Sequence, residues 1–267
     1  MRYSYCMLQI ILHSSKTMRA GSQGEARHVR PRLQSEADEL MRYLEKLSAD
    51  QLGKSMHLSQ KKANETVALL QQWSSDSAQT LPAIDAFLGD IYSGLQVQTF
   101  AEADRQYADT HLLILSGLYG GLRALDSIAP YRLEMGYRLP DEPYRNLYNF
   151  WDSKIAALLP EATSLVVNLS AVEYTKAFLP YVEKSVVTPK FLTISPKTGE
   201  PTFVVVHAKV ARGAFARWLI TQRVDNGACL QEFSELGYHY DATLSTPEQP
   251  TFVCEEFGGL GLSVRLT

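Results

Sequence analysis

The sequence predicts a mixed α/β fold, a single compact body with a mixed central sheet surrounded by helices. Three observations predict it. Short apolar runs rich in β-branched residues stand near both ends: MLQIIL at 7–12, SLVVNLS at 164–170 and PTFVCEEF at 250–257. Between them, apolar residues recur at spacings of three and four, the period of helices with one buried face. No repeat, low-complexity tract or Pro/Gly-rich linker divides the 267 residues, and a chain of this length buries a substantial core. The expected organisation is one domain over 1–267, with residues 1–6 a short extension ahead of a second possible start at Met7.

Taken in order, MLQIIL is a buried strand that stops at the polar HSSKT. Residues 20–35 are polar and aperiodic, with Arg27, His28, Arg30 and Arg32. From Ser35, the spacing of Ala37, Leu40, Met41, Leu44 and Leu47 predicts a helix. Ser59 can cap a second, with Leu69, Leu70 and Trp73 inward. The run from Leu81 to Leu95 reads as a third, with Pro82 in its first turn and Ala86, Phe87, Ile91 and Leu95 on its apolar face. Gly89 and Gly94 weaken that helix by about 1 kcal/mol each relative to alanine. ADRQYADTHLLILS reads as helix up to Ser116, and GLRALDSIA as a short helix ended by Pro130. NLYNFWDSKIAALL is amphipathic, and SLVVNLS is a strand running into the polar SAVEYTKAF. TPKFLTIS and PTFVVVHAKV read as strands joined by the turn PKTGEP, ARGAFARWLITQRV as a helix, and PTFVCEEF as the last strand.

Net charge is −3, so the whole molecule exerts no long-range pull on polyanions, and any basic surface must be local. Cys6, Cys229 and Cys254 are scattered, an odd set that suits a reducing cytoplasm better than a disulfide scaffold. His13, His28, His57, His111, His207 and His239 have no metal-type spacing, so no metal or other cofactor is expected. No apolar run approaches the roughly 18 residues of a spanning helix, so no membrane partner is expected either.

The glycine-rich SGLYGG between two apolar runs is the first candidate site. Read as helix, tight turn and helix over 111–128, it uses Gly117 and Gly120 for close backbone approach. Amides of Gly117, Leu118, Tyr119 and Gly120 would then face outward at a helix start and hold a phosphate, with Arg123 and Arg132 adding charge. Such contacts carry no base information. The plainer reading is a turn that lets one helix fold back on the next.

Six blocks in this order resemble the YaaA family of bacterial peroxide-stress proteins. They are FLGDIYSGLQVQTF, LSGLYGGLRALDSIAPYRLEMG, LYNFWDSKI, VVNLSAVEYTKAF, HAKVARGAFARWLI and FSELGYHYD. The resemblance covers nearly the whole chain from Met7. It implies a cytoplasmic protein with a helix-hairpin-helix element and a basic cleft, which binds DNA and limits iron-dependent damage under hydrogen peroxide. Family members read something like ISPAKTL after the first strand. This chain has LHSSKTM, keeping Lys16 and Thr17 but departing at His13, Ser14 and Ser15.

Lys16 stands in a strand-end loop, where ligands of α/β sheets often bind. Arg132 and Glu134, two apart, pair with each other or frame a pocket. Asn168, Ser170, Glu173 and Tyr174 follow a buried strand. Glu173 is the best carboxylate for acid–base work, while Asn168 and Ser170 can equally cap a helix. Lys209, Arg212 and Arg223 fall within an arc of about 60° if 209 onward is helical, a stripe suited to phosphates or to plain solvation.

Two functions remain open. One is sequence-independent DNA binding through Gly117–Gly120, Arg123, Arg132, Lys209, Arg212 and Arg223. The other is an enzyme acting on a phosphorylated or nucleotide-like small molecule in a cleft of Lys16, Arg132, Glu134, Asn168, Glu173 and Arg212. An interaction protein without a ligand is a weaker third.

Overall fold

The computed structural model describes residues 7–21, 29–74 and 80–258. The proposed extension at 1–6 and the basic residues Arg27 and His28 lie outside them. Strand β1 (Met7–His13) leads to β2 (Thr17–Met18). Helices α1 (Gln34–Leu44), α2 (Ala49–Met56) and α3 (Gln60–Gln71) follow. Then come β3 (Leu81–Pro82), α4 (Ala83–Ala86), β4 (Phe87–Leu88), α5 (Asp90–Leu95) and α6 (Glu102–His111). A hairpin of β5 (Leu112–Ser116) and β6 (Gly120–Arg123) precedes β7 (Ser127–Ile128), α7 (Leu147–Trp151), β8 (Thr163–Asn168) and α8 (Val172–Phe178). The chain continues through β9 (Ser185–Val187), β10 (Lys190–Ile194), β11 (Pro201–Thr202) and α9 (Val205–Thr221) to β12 (Tyr238–Tyr240) and β13 (Thr251–Cys254).

The main sheet has five strands in the order β6-β5-β1-β8-β9. β1 runs parallel to both β5 and β8, β9 runs parallel to β8, and only β6 is antiparallel. Leu8, Ile10, Ile11 and Leu12 are all buried, as a central parallel strand covered on both faces requires. A second sheet, β11-β10-β13-β12, packs Phe191 and Phe252 against Phe215 of α9. The mixed α/β class is as the sequence predicts.

Ala37, Leu40, Met41 and Leu44 bury the inner face of α1. Ser48 caps α2 in a reciprocal bond with Gln51, and Ser59 caps α3 by accepting from the Lys62 amide. Leu70 is buried, and Leu69 and Trp73 are half-buried.

Three elements differ from expectation. The helix expected over 81–95 is two short strand pairs around α4, followed by the brief α5, because Gly89 takes φ 118° and stops any continuous helix. The PTFVVV run is strand only at 201–202. From Val205 it is the start of α9, where contact with α5 overrides β-branched propensity. The helix-hairpin-helix expected at 111–128 is a β-hairpin. Only Glu102–His111 is helical, and Ile114 and Leu115 pair with Leu122 and Gly121. Its buried apolar run finds β1 as a parallel partner, with Ile11 beside Leu113.

Candidate functional site

The carboxyl ends of β1, β5 and β8 meet at one edge of the main sheet. The chain leaves β1 for β5 on one side and returns to β8 on the other, so strand order reverses at β1, where α/β sheets place ligands. His13 ends β1, Ser116 ends β5 and Asn168 ends β8. The Ser14 amide donates to the Leu115 carbonyl (2.8 Å) and the Leu169 amide to the Ile11 carbonyl (2.9 Å). These bonds hold the departing loops side by side.

Lys16 and Glu134 form one wall, with Nζ 3.9 Å from Oε2. Burial pushes the Glu134 carboxyl above its usual range against the pull of Lys16, and neighbouring Glu173 pushes the same way. Glu173, in the first turn of α8, accepts from the Gly136 amide at 2.7 Å, tying the 131–136 segment to that helix. Next to it the Tyr174 hydroxyl hydrogen-bonds Ser14 Oγ at 3.0 Å, and its ring stacks on His13 with centroids 4.9 Å apart. Tyr131 reaches Ser116 Oγ at 2.6 Å.

The opposite wall is α9. Lys209 Nζ lies 3.9 Å from Asp90 at the start of α5, and Arg212 is one turn further along. Both cations act on His13, whose pKa falls to about 3, chiefly through burial and then through Arg212 and Lys209. His13 Nδ1 accepts from the Ala171 amide at 3.2 Å, so its ring proton sits on Nε2. Burial also pulls the Arg212 guanidinium below its usual pKa, and no carboxylate among the described residues pairs with it. The buried Nε of Arg132 likewise has no hydrogen-bond partner among them.

Lys16, Arg132 and Glu173 act electrostatically on Glu134, and Lys209 and Arg212 on His13, so the six gather around the crevice expected where strand order reverses at the end of β1. Asn168 and Ser170 stand behind it as braces rather than caps: Asn168 Oδ1 accepts from the Ser170 amide and hydroxyl, while Ala171 is the N-cap of α8. His13, Ser14 and Tyr174 complete the floor. Sequence reading named Tyr174 only as part of the polar run after β8 and assigned His13 and Ser14 no role, although these last two are where LHSSKTM leaves the family pattern.

Other expected residues lie elsewhere. The Gly117–Gly120 turn is buried, with Leu118 and Tyr119 at 0% exposure. Trp151 donates to the Gly117 carbonyl, and the Tyr119 amide donates to Ser116 Oγ. A methyl group on Gly117 would meet the Leu133 carbonyl at 2.4 Å. The turn amides therefore present no outward anion site. Arg123 is held by Asp126 and Asp109 at the other end of the sheet. Arg223 lies beyond the end of α9 at φ 55°, bonded to Asp104 and stacked over Tyr107. It does not share the stripe of Lys209 and Arg212.

Residues 8–244 match the family described as peroxide stress protein YaaA. The chain belongs to this family. It is 53% identical over 257 residues to a UPF0246 protein of Salinispora tropica, covering 96% of this chain and 97% of that one. UPF0246 proteins from two strains of Cereibacter sphaeroides are 40% identical over 229 residues, covering 84% of this chain and 88% of theirs. The YaaA-family match spans the crevice from His13 to Arg212. Among the described residues no helix is long and apolar enough to cross a membrane, and no group of three or more His, Cys, Asp or Glu side chains is arranged to hold a metal ion.

Proposed function

We propose that this YaaA-family protein grips DNA phosphates in the crevice, without regard to base sequence, and so limits iron-dependent damage in the cytoplasm during peroxide stress. Arg212 carries the reading. A guanidinium partly drawn out of water, with no carboxylate beside it among the described residues, is an uncompensated charge that an anion would complete. Lys16, Arg132 and Lys209 supply further positive charge, and burial of Glu134 weakens the opposing negative charge. Contact runs through these side chains, not through the amides of the glycine turn.

The test is fluorescence anisotropy of labelled duplexes of unrelated sequence, titrated over a range of salt. Affinity should fall steeply with salt. Removing Lys209 and Arg212 together should weaken every duplex alike. Undiminished binding by that double variant rules this surface out.

The second reading is an enzyme acting on a phosphorylated or nucleotide-like small molecule. Glu134, Tyr174, Ser14 and His13 favour it, being proton-bearing groups packed beside the cations that a simple phosphate track does not need. Calorimetric titration with nucleoside monophosphates separates the two. Tight binding of the small molecule with weak binding of duplexes favours the enzyme.

A further inference from the structure

Five large apolar side chains stand exposed among the described residues: Val172, Tyr181, Phe203, Val205 and Leu244. Three of them belong to the two helix starts that flank His13. Val172, 70% exposed, opens α8. It stands between Ala171, whose amide bonds the His13 ring, and Glu173, which ties the 131–136 segment to that helix. Val205, 54% exposed, opens α9. At 3.6 residues per turn, Val205, Lys209 and Arg212 fall within an arc of about 60°, so the valine extends the face that carries both cations. Phe203, 50% exposed, stands two residues ahead of it.

Local chemistry does not ask for valine at either place. Helix starts favour Ser, Thr, Asp or Asn caps and acidic first turns. Neither Ala171 nor Val204 gives a side-chain cap, and the first turn of α9 has no acidic residue. Scattered single apolar side chains are ordinary at a surface, whereas a group of them beside one site marks an interaction. Rules of local consistency are broken mostly where function requires it.

The neighbouring charges select the occupant. Apolar tips beside Lys209, and beside an Arg212 with no carboxylate partner among the described residues, suit a ligand that is anionic outside and apolar within. DNA is built that way, with phosphates outside and stacked base faces inside. Proteins that push Phe, Leu or Ile between base steps kink the duplex by roughly 20–90°. One turn of α9 separates Val205 from Lys209 by about 6 Å along the axis, within two base steps of about 3.4 Å each. A cation on a phosphate and a wedge in a neighbouring step are therefore reachable together.

We propose that Phe203, with Val205 and Val172 beside it, is a wedge that enters the base stack and kinks the DNA held in the crevice. The inference rests on the DNA reading above and adds a distortion that phosphate contacts alone do not produce.

Fluorescence on the full chain tests it, with a short duplex that carries a donor and an acceptor dye at its ends and 2-aminopurine at several steps. When wild type binds, energy transfer should rise as the ends approach, and 2-aminopurine should brighten as it unstacks. Protein with Phe203→Ser and Val205→Ser together should bind more weakly, with the same salt slope, and give neither signal. Phe203→Trp should keep both signals, and its added indole emission should be quenched by the duplex. Should the double variant fail to fold, Phe203→Trp decides by that quenching. Wild type that holds the duplex yet leaves it straight and stacked overturns the wedge and leaves the DNA reading standing. Wild type that binds no duplex overturns both. Full signals from the double variant overturn the wedge as well. So does binding to phosphatidylserine vesicles that the double variant loses, without any bending of DNA, which assigns the rim to a membrane.

Discussion

Gly213 of α9 lies so close to the main-chain carbonyl of Ile91 in α5 that a methyl group at 213 would stand 1.8 Å from that oxygen. Gly94 makes the reciprocal approach, where an added methyl group would stand 2.0 Å from the Val210 carbonyl oxygen. The two helices touch backbone to backbone, and this contact sets α9 over the sheet edge with Lys209 beside Asp90. Gly213→Ala or Gly94→Ala should cost roughly 3 kcal/mol or more, because main chain cannot yield as a side-chain tip can. Urea denaturation measures it, and a variant of wild-type stability would contradict so close a crossing.

Arg212 should behave as a residue kept for binding rather than for stability. Arg212→Met removes a charge with no carboxylate partner among the described residues and keeps most of the volume. Stability should hold or rise by about 1–3 kcal/mol, while affinity for phosphate-bearing ligands falls. A stability loss with binding intact would assign the guanidinium a structural role instead.

His13 links the crevice to pH. Its folded pKa of about 3 lies below the ordinary value of 6.5, so between those values the unfolded chain binds more protons than the folded one. The contribution is complete above pH 6.5 and is lost as pH falls toward 3. The slope from this group approaches about 1.4 kcal/mol per pH unit. His13→Asn should flatten the pH dependence of urea denaturation within that window. Parallel curves for the two proteins would contradict a buried neutral imidazole.

Arg123 provides the converse case. Arg123→Ala strips the buried Asp126 carboxylate of its cation and should cost about 2–4 kcal/mol. Oligonucleotide affinity should stay unchanged, because this pair lies at the opposite end of the sheet from the crevice. A matching loss of affinity would place Arg123 in the ligand surface after all.

Much of the fold was legible along the chain. Met7–Leu12 and Ser164–Asn168 are too apolar and too short for anything but buried strands, and Ala37, Leu40, Met41 and Leu44 mark one helix face. Leu112–Ser116 was ambiguous because it continues a helical pattern from α6, and five apolar residues suit either state when both faces are buried. The glycines after it permit a turn of either kind. Val205 and Val206 looked like strand because propensity is local, whereas the α5–α9 contact is not.

By itself the sequence determined the α/β class, the central strands, the main helix faces and a set of polar residues standing just past strand ends, because these follow from periodicity and local burial. Only the tertiary structure decided that the glycine knot is a sealed hairpin, that Arg123 and Arg223 serve carboxylates elsewhere, and that the charge of Arg212 acts on His13 across 199 positions of chain. Long-range strand pairing and one close helix crossing select those partners, and neither interaction has a signature within a short window of residues.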